Sequence, residues 1–357
     1  MTATTDVLII GGGVIGLAIA VELRLRSLSV TVLVRNFNAA ASHAAAGMLA
    51  PQAEQIPPGA MLDLCLLSRS LYPDWIDKIE QISGISTGYW RCGILAPSYT
   101  EANKQRETRG DRSFWLDKEA ISHQQPGLGA EVVGGWWYPE DAQVDNRALT
   151  CALRAAAQAL GVDIRDVAVE AIEYEQNRVT GVRTAEGMRH SDRYILATGA
   201  WSNQLLPIPV SPKKGQMLSV QVPNVDKLPL QQVLFAPDIY IVPRQDGRII
   251  IGATVEDVGF APHNTPAGMQ ALLQNAIGVY PQLQHYPIYE FWWGFRPATP
   301  DELPILGASP YQNLTLATGH YRNGILLTPV TANLIADAIA NQYHPLLEHF
   351  HYSRFVT

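Results

Sequence analysis

The chain alternates between two hydrophobic textures. An unbroken apolar run, Val7–Ile10, ends on glycine, and a helical period follows with Ala18, Ile19 and Leu23 on one side. A second β-branched run, Val30–Leu33, completes a strand–helix–strand unit. Leu62, Cys65, Leu66, Leu71, Trp75 and Ile79 recur at helical spacing and predict a long helix over 61–82. From Gly88 to Pro139 the texture changes to short strands, aromatics and turns. Helical period returns over Asn146–Leu160, with Gly161 as its cap. Short strands and a hairpin lead to the strand RYILATGAWS. The stretch Val210–Trp293 is β-rich, with DGR at 246–248 as a turn between strands. The chain closes as a strand over 314–318, the segment GHYRNG, and a helix starting near Ile325. This order predicts α/β plus α+β structure: a Rossmann-type domain made of 1–87, 141–210 and 296–357, interleaved with a β-rich domain made of 88–140 and 211–295.

The first junction carries chemistry. Gly11 allows a tight turn, Gly13 lets the backbone approach a pyrophosphate, and Gly16 lets the helix pack closely on the strand. The helix N-terminus then offers free N–H groups to phosphate. The partner signal is missing. An acid is expected about 20 residues on, at the end of the second strand, to hold a ribose hydroxyl. Val34 stands there, followed by Arg35, which suits either a 2′-phosphate or a solvated strand end. Two small-residue segments point the same way as the glycines. Residues 39–48 include Ser42, His43, Ala46, Gly47 and Met48, as a loop that lets backbone meet a flat ligand or as an alanine-rich helix. The strand end at Ala197–Ala200 includes Thr198 and Gly199.

Composition narrows the class. Hydrophobic content of 47% with 17% charged residues gives 357 residues a sizeable core, enough for two domains. A net charge of −7 without a basic run argues against nucleic acid as a partner. The N-terminal apolar stretch is broken by glycines, so neither a signal peptide nor a membrane span is expected there. Cys65, Cys92 and Cys151 have no metal spacing and suggest no disulfide framework, which suits a cytoplasmic protein. No metal site is expected: the histidines are scattered and HExxH is absent. GxSxG is also absent, leaving hydrolase chemistry no foothold.

Two arginines stand in unusual company. Arg296 lies in WWGFRPATPDELPILG and Arg322 in TGHYRNGILLTP, among glycine, proline and aromatic residues. A guanidinium in such a setting requires a counter-ion. A small carboxylic acid would supply one bidentately, and so would an internal pair with Asp301 or Glu302. Tyr240 alternates with Ile239 and Ile241, so it faces the other side of its strand, as a packing aromatic or as the wall of a substrate site. The pairs Trp136–Trp137 and Trp292–Trp293 read as packing. The adjacent acids Glu140–Asp141 and Glu256–Asp257 read as turn residues. A helix N-terminus after GHYRNG would set N–H groups against an acceptor-rich ring edge.

Taken together, GGGVIGLAIA, HAAAGMLAP, LATGAWS, YIVPR with DGRIIIGAT, WWGFRPATPDELPILG and GHYRNGILLTP resemble the FAD-dependent amine oxidases of the D-amino-acid oxidase superfamily, in order and over nearly the whole chain. The resemblance is strongest to the branch that oxidises glycine and feeds thiazole formation in thiamine synthesis. It implies oxidation of glycine, sarcosine or a small D-amino acid to the imine, with O2 reduced to H2O2. Arg296 would anchor the substrate carboxylate, Arg322 would be a second contact beside the flavin, and Tyr240 would line the pocket. FAD would be held by the backbone around Val14, Ile15, Ala46, Gly47, Met48 and Val169, and by His320, Tyr321, Arg322, Asn323, Gly324, Ile325 and Leu326. Relatives that bind flavin covalently use a cysteine near RPATPD. None follows Cys151 here, so the FAD is expected to be non-covalent. A second copy of the chain and a thiazole synthase are the protein partners implied. Two rival activities share these motifs: a D-amino-acid dehydrogenase feeding a quinone, and a flavin enzyme of tRNA modification. Departures at Asp238 and Val255 bear on pocket charge and size. The missing acid makes a definite prediction: Val34→Glu tightens FAD binding, measured by titrating apoprotein with FAD, and an unchanged or weaker affinity means that the ribose is held elsewhere.

Overall fold

The run Thr5–Ile10 is apolar at successive positions because both of its faces are buried. In the computed structural model, which describes residues 5–105 and 113–356, Val7 and Ile9 point into a helical layer, and Leu8 and Ile10 into a core on the opposite side. Among the described residues two large sheets form. The first has six strands in the spatial order Ile305–Ala308, Leu314–Thr318, Ser191–Leu196, Thr5–Ile10, Val30–Leu33, Asp163–Arg165. All are parallel except Ile305–Ala308, which returns antiparallel on Leu314–Thr318. Helices Val14–Leu25, Ala60–Ser83, Asn146–Ala159 and Thr328–Ile339 cover one face, and a three-stranded meander over 169–189 covers the other.

The second sheet has eight strands: Ile288–Ala298, Ser211–Gln221, Arg248–Gly252, Ile239–Pro243, Val233–Ala236, Ile94–Ser98, Gly134–Tyr138 and Phe114–Asp117. Helix Pro266–Val279 packs on the face that carries Leu218, Ile239, Ile241 and Ile251. The opposite face carries Tyr240 and Val242 and meets Ala46, Ala50 and Ala53 from the first half of the molecule. The alternation around Tyr240 therefore has the physical meaning its period implied.

Four sequence expectations change. Strand Ile288–Ala298 stays in register with Ser211–Gln221 through Lys213↔Arg296 to Ser211↔Ala298, so the division drawn at 296 cuts a continuous strand. The last helix starts at Thr328 and not near Ile325. Pro329 has no N–H to give the Ile325 carbonyl, so that oxygen accepts from Thr328 N at 3.2 Å and from the Tyr72 hydroxyl, and the Ser68 hydroxyl donates to Leu326 O at 2.6 Å. Helices Lys118–Gln124 and Pro266–Val279 lie inside the stretches read as β-rich. Their signals were present: Asp117 accepts from Ala120 N at 2.9 Å, and Thr265 precedes Pro266 and accepts from Gly268 N at 3.1 Å. Finally, residues 39–48 are neither one loop nor one helix. A single turn, Ala41–Ala44, gives way to extended Ala45 and to Gly47 at φ +75°.

Contact between the two halves is close. An added Cβ at Gly294 would lie 2.2 Å from the Ala44 Cβ, and Trp292 Nε1 donates to Ala44 O at 3.0 Å. Trp293, expected in the packing, is 39% exposed because its strand is the edge of the sheet. Behind this contact, Arg244 is almost fully buried and donates to Gln143 Oε1 (2.5 Å), Val144 O (3.0 Å), Ala46 O (2.7 Å) and Asn146 Oδ1 (3.1 Å). Arg244→Met keeps the apolar stem and strands these acceptors in a dry interface. We expect a loss of about 3–5 kcal/mol in urea unfolding; a loss below about 1 kcal/mol would mean that water replaces the guanidinium.

Candidate active site

One continuous cavity runs from the glycine loop to the second sheet. Its walls include Gly11, Gly13, Val14, Ile15, Val34, Arg35, Ser42, Ala46, Gly47, Met48, Val169, Thr198 and Gly199, and it ends at Tyr240, Arg296, His320, Tyr321, Arg322, Gly324 and Ile325. Segments distant in sequence meet here because each ends a buried element at the same level.

At the glycine end the requirement for small residues is steric. Gly11 adopts φ +116°, and a Cβ there would lie 2.3 Å from Ala197 O. At Gly16 a Cβ would lie 2.0 Å from Gly11 O, so this residue serves the loop from inside and does not face the cavity. Gly13 is different: its nearest neighbours would be Ala40 Cβ at 3.7 Å and Ser42 Oγ at 3.8 Å, leaving room in front of it. Helix Val14–Leu25 has no side-chain cap and no acid in its first turn. Its first N–H groups therefore open toward the cavity, and the buried Ser42 Oγ has no protein partner. Uncapped amides with an orphan hydroxyl suit a diphosphate.

Val34 is buried beneath the loop, with its methyl groups where a Gly12 side chain would stand. Arg35 lies 4.5 Å over the Trp201 ring, and burial draws its pKa down. Asn36, Trp201 and Gln204 also line this end. None is acidic, so a ribose placed here would meet amide, indole and guanidinium donors.

The far end contains the charges. Arg296 Nη1 donates to Thr254 O at 3.1 Å and, more weakly, to Lys214 O at 3.4 Å. An added Cβ at Gly215 would lie 2.6 Å from the guanidinium, so glycine there lets Arg296 lie flat on the sheet. Among the described residues no carboxylate comes within ion-pair distance of Arg296 or Arg322. Of the internal partners considered for them, Asp301 pairs with Arg354 at 2.7 Å and Glu302 is exposed. Tyr240 packs on Gly252, and burial raises its phenol pKa against the opposing pull of Arg296 and Arg322.

Segment 319–327 is set from behind. Tyr321 N donates to Pro297 O at 2.9 Å, and Leu327 N to Asn323 O at 2.8 Å. Because a trans peptide opposes its C=O and N–H, the Tyr72 bond to Ile325 O turns the Leu326 amide away from the long helix. The Gly324, Ile325 and Leu326 amides have no acceptor among the described residues, although no helix starts at this point.

Three residues assigned to the cofactor from sequence, besides Gly16, do not line the cavity. His43 packs edge-on to Phe37 at 4.7 Å, Asn323 turns to Glu54, and Leu326 is buried in the core. Glu54 was missed, because nothing in its sequence surroundings marks it. It lines the cavity, accepts from Asn323 Nδ2 at 3.0 Å, and has its pKa raised by burial. Asp141 is no turn residue either. It is fully buried, pairs with Arg69 at 2.7 Å and accepts from Ala53 N at 2.9 Å, while burial pushes its pKa up to about 7. Glu256 likewise pairs with the buried Lys214 at 3.1 Å. Val255 and Asp238 are exposed and shape no wall. No group of three metal-ligating side chains occurs among the described residues, and no helix there is long and apolar enough to cross a membrane.

A family described as FAD dependent oxidoreductase (DAO) matches residues 6–338. Among relatives, the Bifunctional protein ThiO/ThiG of Trichormus variabilis is 64% identical over 99% of this chain and 55% of that protein. The Glycine oxidase of Geobacillus kaustophilus is 34% identical over 95% of this chain and 94% of that one. The crystal structure of glycine oxidase from Geobacillus kaustophilus superposes with a TM-score of 0.94 at 32% identity, covering 100% of both chains. The chain spans about half the length of its ThiO/ThiG relatives.

His320 sets an acid limit on this site. It is 3% exposed, its Nε2 lies 3.1 Å from Thr331 Oγ1, and burial lowers its pKa from 6.5 to about 3. The unfolded chain takes up this proton first. The stabilisation is therefore whole above pH 6.5 and is lost as pH falls toward 3, at about 1.4 kcal/mol per unit. Between pH 7 and 5 the wild type should lose about 2 kcal/mol more than His320→Gln in urea unfolding. Equal losses would show that the imidazole is protonated in the fold.

Proposed function

We propose, on the premise that the chain belongs to the DAO family of FAD dependent oxidoreductases, that it oxidises glycine, or a similarly small amine-bearing acid, to the imine. The observation that carries this reading is the convergence of Arg296, Arg322 and Tyr240, with no carboxylate among the described residues paired to either arginine, on the cavity that opens from the glycine loop. The Glycine oxidase relatives support the substrate class.

The chain's own groups divide the work. FAD would be held by the Gly12–Ile15 loop and Ser42 at its diphosphate and by the Gly324–Ile325 amides at the other end. When bound it accepts a hydride from the substrate carbon and returns the electrons to O2, giving H2O2. Arg296 binds the substrate carboxylate through the part of its planar fork that Thr254 and Lys214 leave open. Arg322 adds positive charge to the same cavity, and the Tyr240 hydroxyl donates. Gly215 and Gly252 let Arg296 and Tyr240 lie against the sheet, so orientation is set before substrate arrives. The buried apolar walls exclude water from the reacting carbon.

Supply of thiazole synthesis belongs to the same proposal, supported by the ThiO/ThiG names of relatives twice the reach of this chain. So does association with a thiazole synthase or with a second copy. A cytoplasmic setting is favoured by three free thiols.

The test is anaerobic reduction of the FAD-loaded protein by glycine, sarcosine, D-alanine and D-proline. We expect glycine and sarcosine to bleach the flavin; bleaching by L-amino acids alone would overturn the reading. Arg296→Ala should raise the KM for glycine by about 10- to 100-fold with FAD retained. Loss of FAD instead would move Arg296 to the cofactor.

A further inference from the structure

We infer that Glu54 receives the amino group of the substrate, binding the ammonium through Oε1 and taking its proton. The inference rests on the amine-oxidation reading above and assigns a residue to the half of the substrate that the two arginines leave unmatched.

Position comes first. Glu54 follows the short strand Met48–Leu49 in a turn closed by its own amide on Ala50 O at 3.0 Å. The preceding amide, Ala53 N, is held by Asp141, which Arg69 of the long helix grips from behind. This buried network fixes the turn and points Glu54 at the cavity wall shared with Arg296, Arg322 and Tyr240. One carboxylate oxygen is engaged, since Asn323 Nδ2 donates to Oε2. Oε1 receives no hydrogen bond among the described residues.

Charge comes second. A carboxylate partly withdrawn from water, as Glu54 is, normally pairs with a cation. Among the described residues none comes within ion-pair distance of Glu54, although two guanidiniums share its cavity. The cavity is thus positive at Arg296 and Arg322 and negative at Glu54, with the three charges not consumed by one another. A small zwitterion, with carboxylate and ammonium on one carbon, matches that polarity.

Chemistry comes third. The carbon loses hydride readily only when the nitrogen keeps a free lone pair, and a substrate that enters as ammonium must first lose a proton. In that step an N–H bond of the ammonium breaks and an O–H bond forms at Oε1. The electron pair stays on nitrogen and nothing is oxidised or reduced. Burial raises the proton affinity of Glu54, and Asn323, Arg322 and Arg296 hold it back. The other titratable groups facing it are Tyr240 from the second sheet, Asp141 behind the turn and Cys65 of the long helix.

Glu54→Gln in the FAD-loaded enzyme tests this, because the amide keeps an acceptor for Asn323. Two measurements are needed. In spectral titrations of the bound flavin with analogues that have no α-hydrogen to give, wild type should prefer 2-aminoisobutyrate to 2-hydroxyisobutyrate, which has a hydroxyl in place of the amine, and the variant should lose or reverse that preference. In anaerobic stopped-flow reduction by glycine, the variant should be about 100-fold slower at pH 7 and recover as pH rises through the pKa of free glycine's amine. An unchanged preference together with an unchanged rate at pH 7 would overturn the assignment. The titration needs no turnover, so it still decides the role of Glu54 if glycine fails to reduce the wild type, an outcome that would count against the amine-oxidation reading alone.

Discussion

The buried guanidinium of Arg244 joins the two halves of this protein. It sits just past the strand Ile239–Pro243 of the second sheet and reaches across to Ala46 O, Val144 O, Gln143 and Asn146 in the first half. Only arginine offers several donors in one rigid plane. Burial lowers its pKa to about 10 against the opposing pull of Asp145, so it remains charged at neutral pH. Asp145 stands 4.0 Å away and pairs at 2.6 Å with Arg248. What Arg244 holds is therefore two backbone carbonyls and two side-chain amides. By fixing Ala46 it fixes Gly47, where a side chain would strike Val144 O at 1.9 Å, and hence the wall that runs on to Glu54.

The cavity follows from a division of backbone polarity. At the glycine loop the carbonyls point into the sheet and helix, and the first-turn amides are left over. At 324–326 the same result is reached without a helix: Thr328 N and the Tyr72 hydroxyl take Ile325 O, and the Ser68 hydroxyl takes Leu326 O. Both ends of the cavity are thus lined with donors for an electron-rich ligand. Between them, among the described residues that line the cavity, Arg296, Arg322 and Glu54 carry charge without an ion-pair partner.

Much of this was legible in the chain. The strand–glycine–helix opening, the long helix over 61–82 and the two-faced strand around Tyr240 all follow from period and size, which are local properties. The arginines at 296 and 322 stood out for the same reason, since their neighbours offered no obvious partner. The rest depended on distant contacts. Glu54 has an unremarkable sequence setting, and Asp141 resembles a turn acid until Arg69 and the Ala53 amide close around it. Helix Pro266–Val279 was obscured by the strong β texture on either side, despite its Thr–Pro start.

By itself the sequence determined the strand–helix–strand opening, the long helix over 61–82 and a nucleotide loop lacking its ribose acid, because steric limits on glycine and the periods of apolar residues act within a few positions. Tertiary structure decided which charges remain unpaired, where the last helix begins, and which side of the cavity is negative. Those outcomes depend on groups 17 to 269 residues apart meeting in partly or fully buried positions. There a single missing or added hydrogen bond outweighs any local preference.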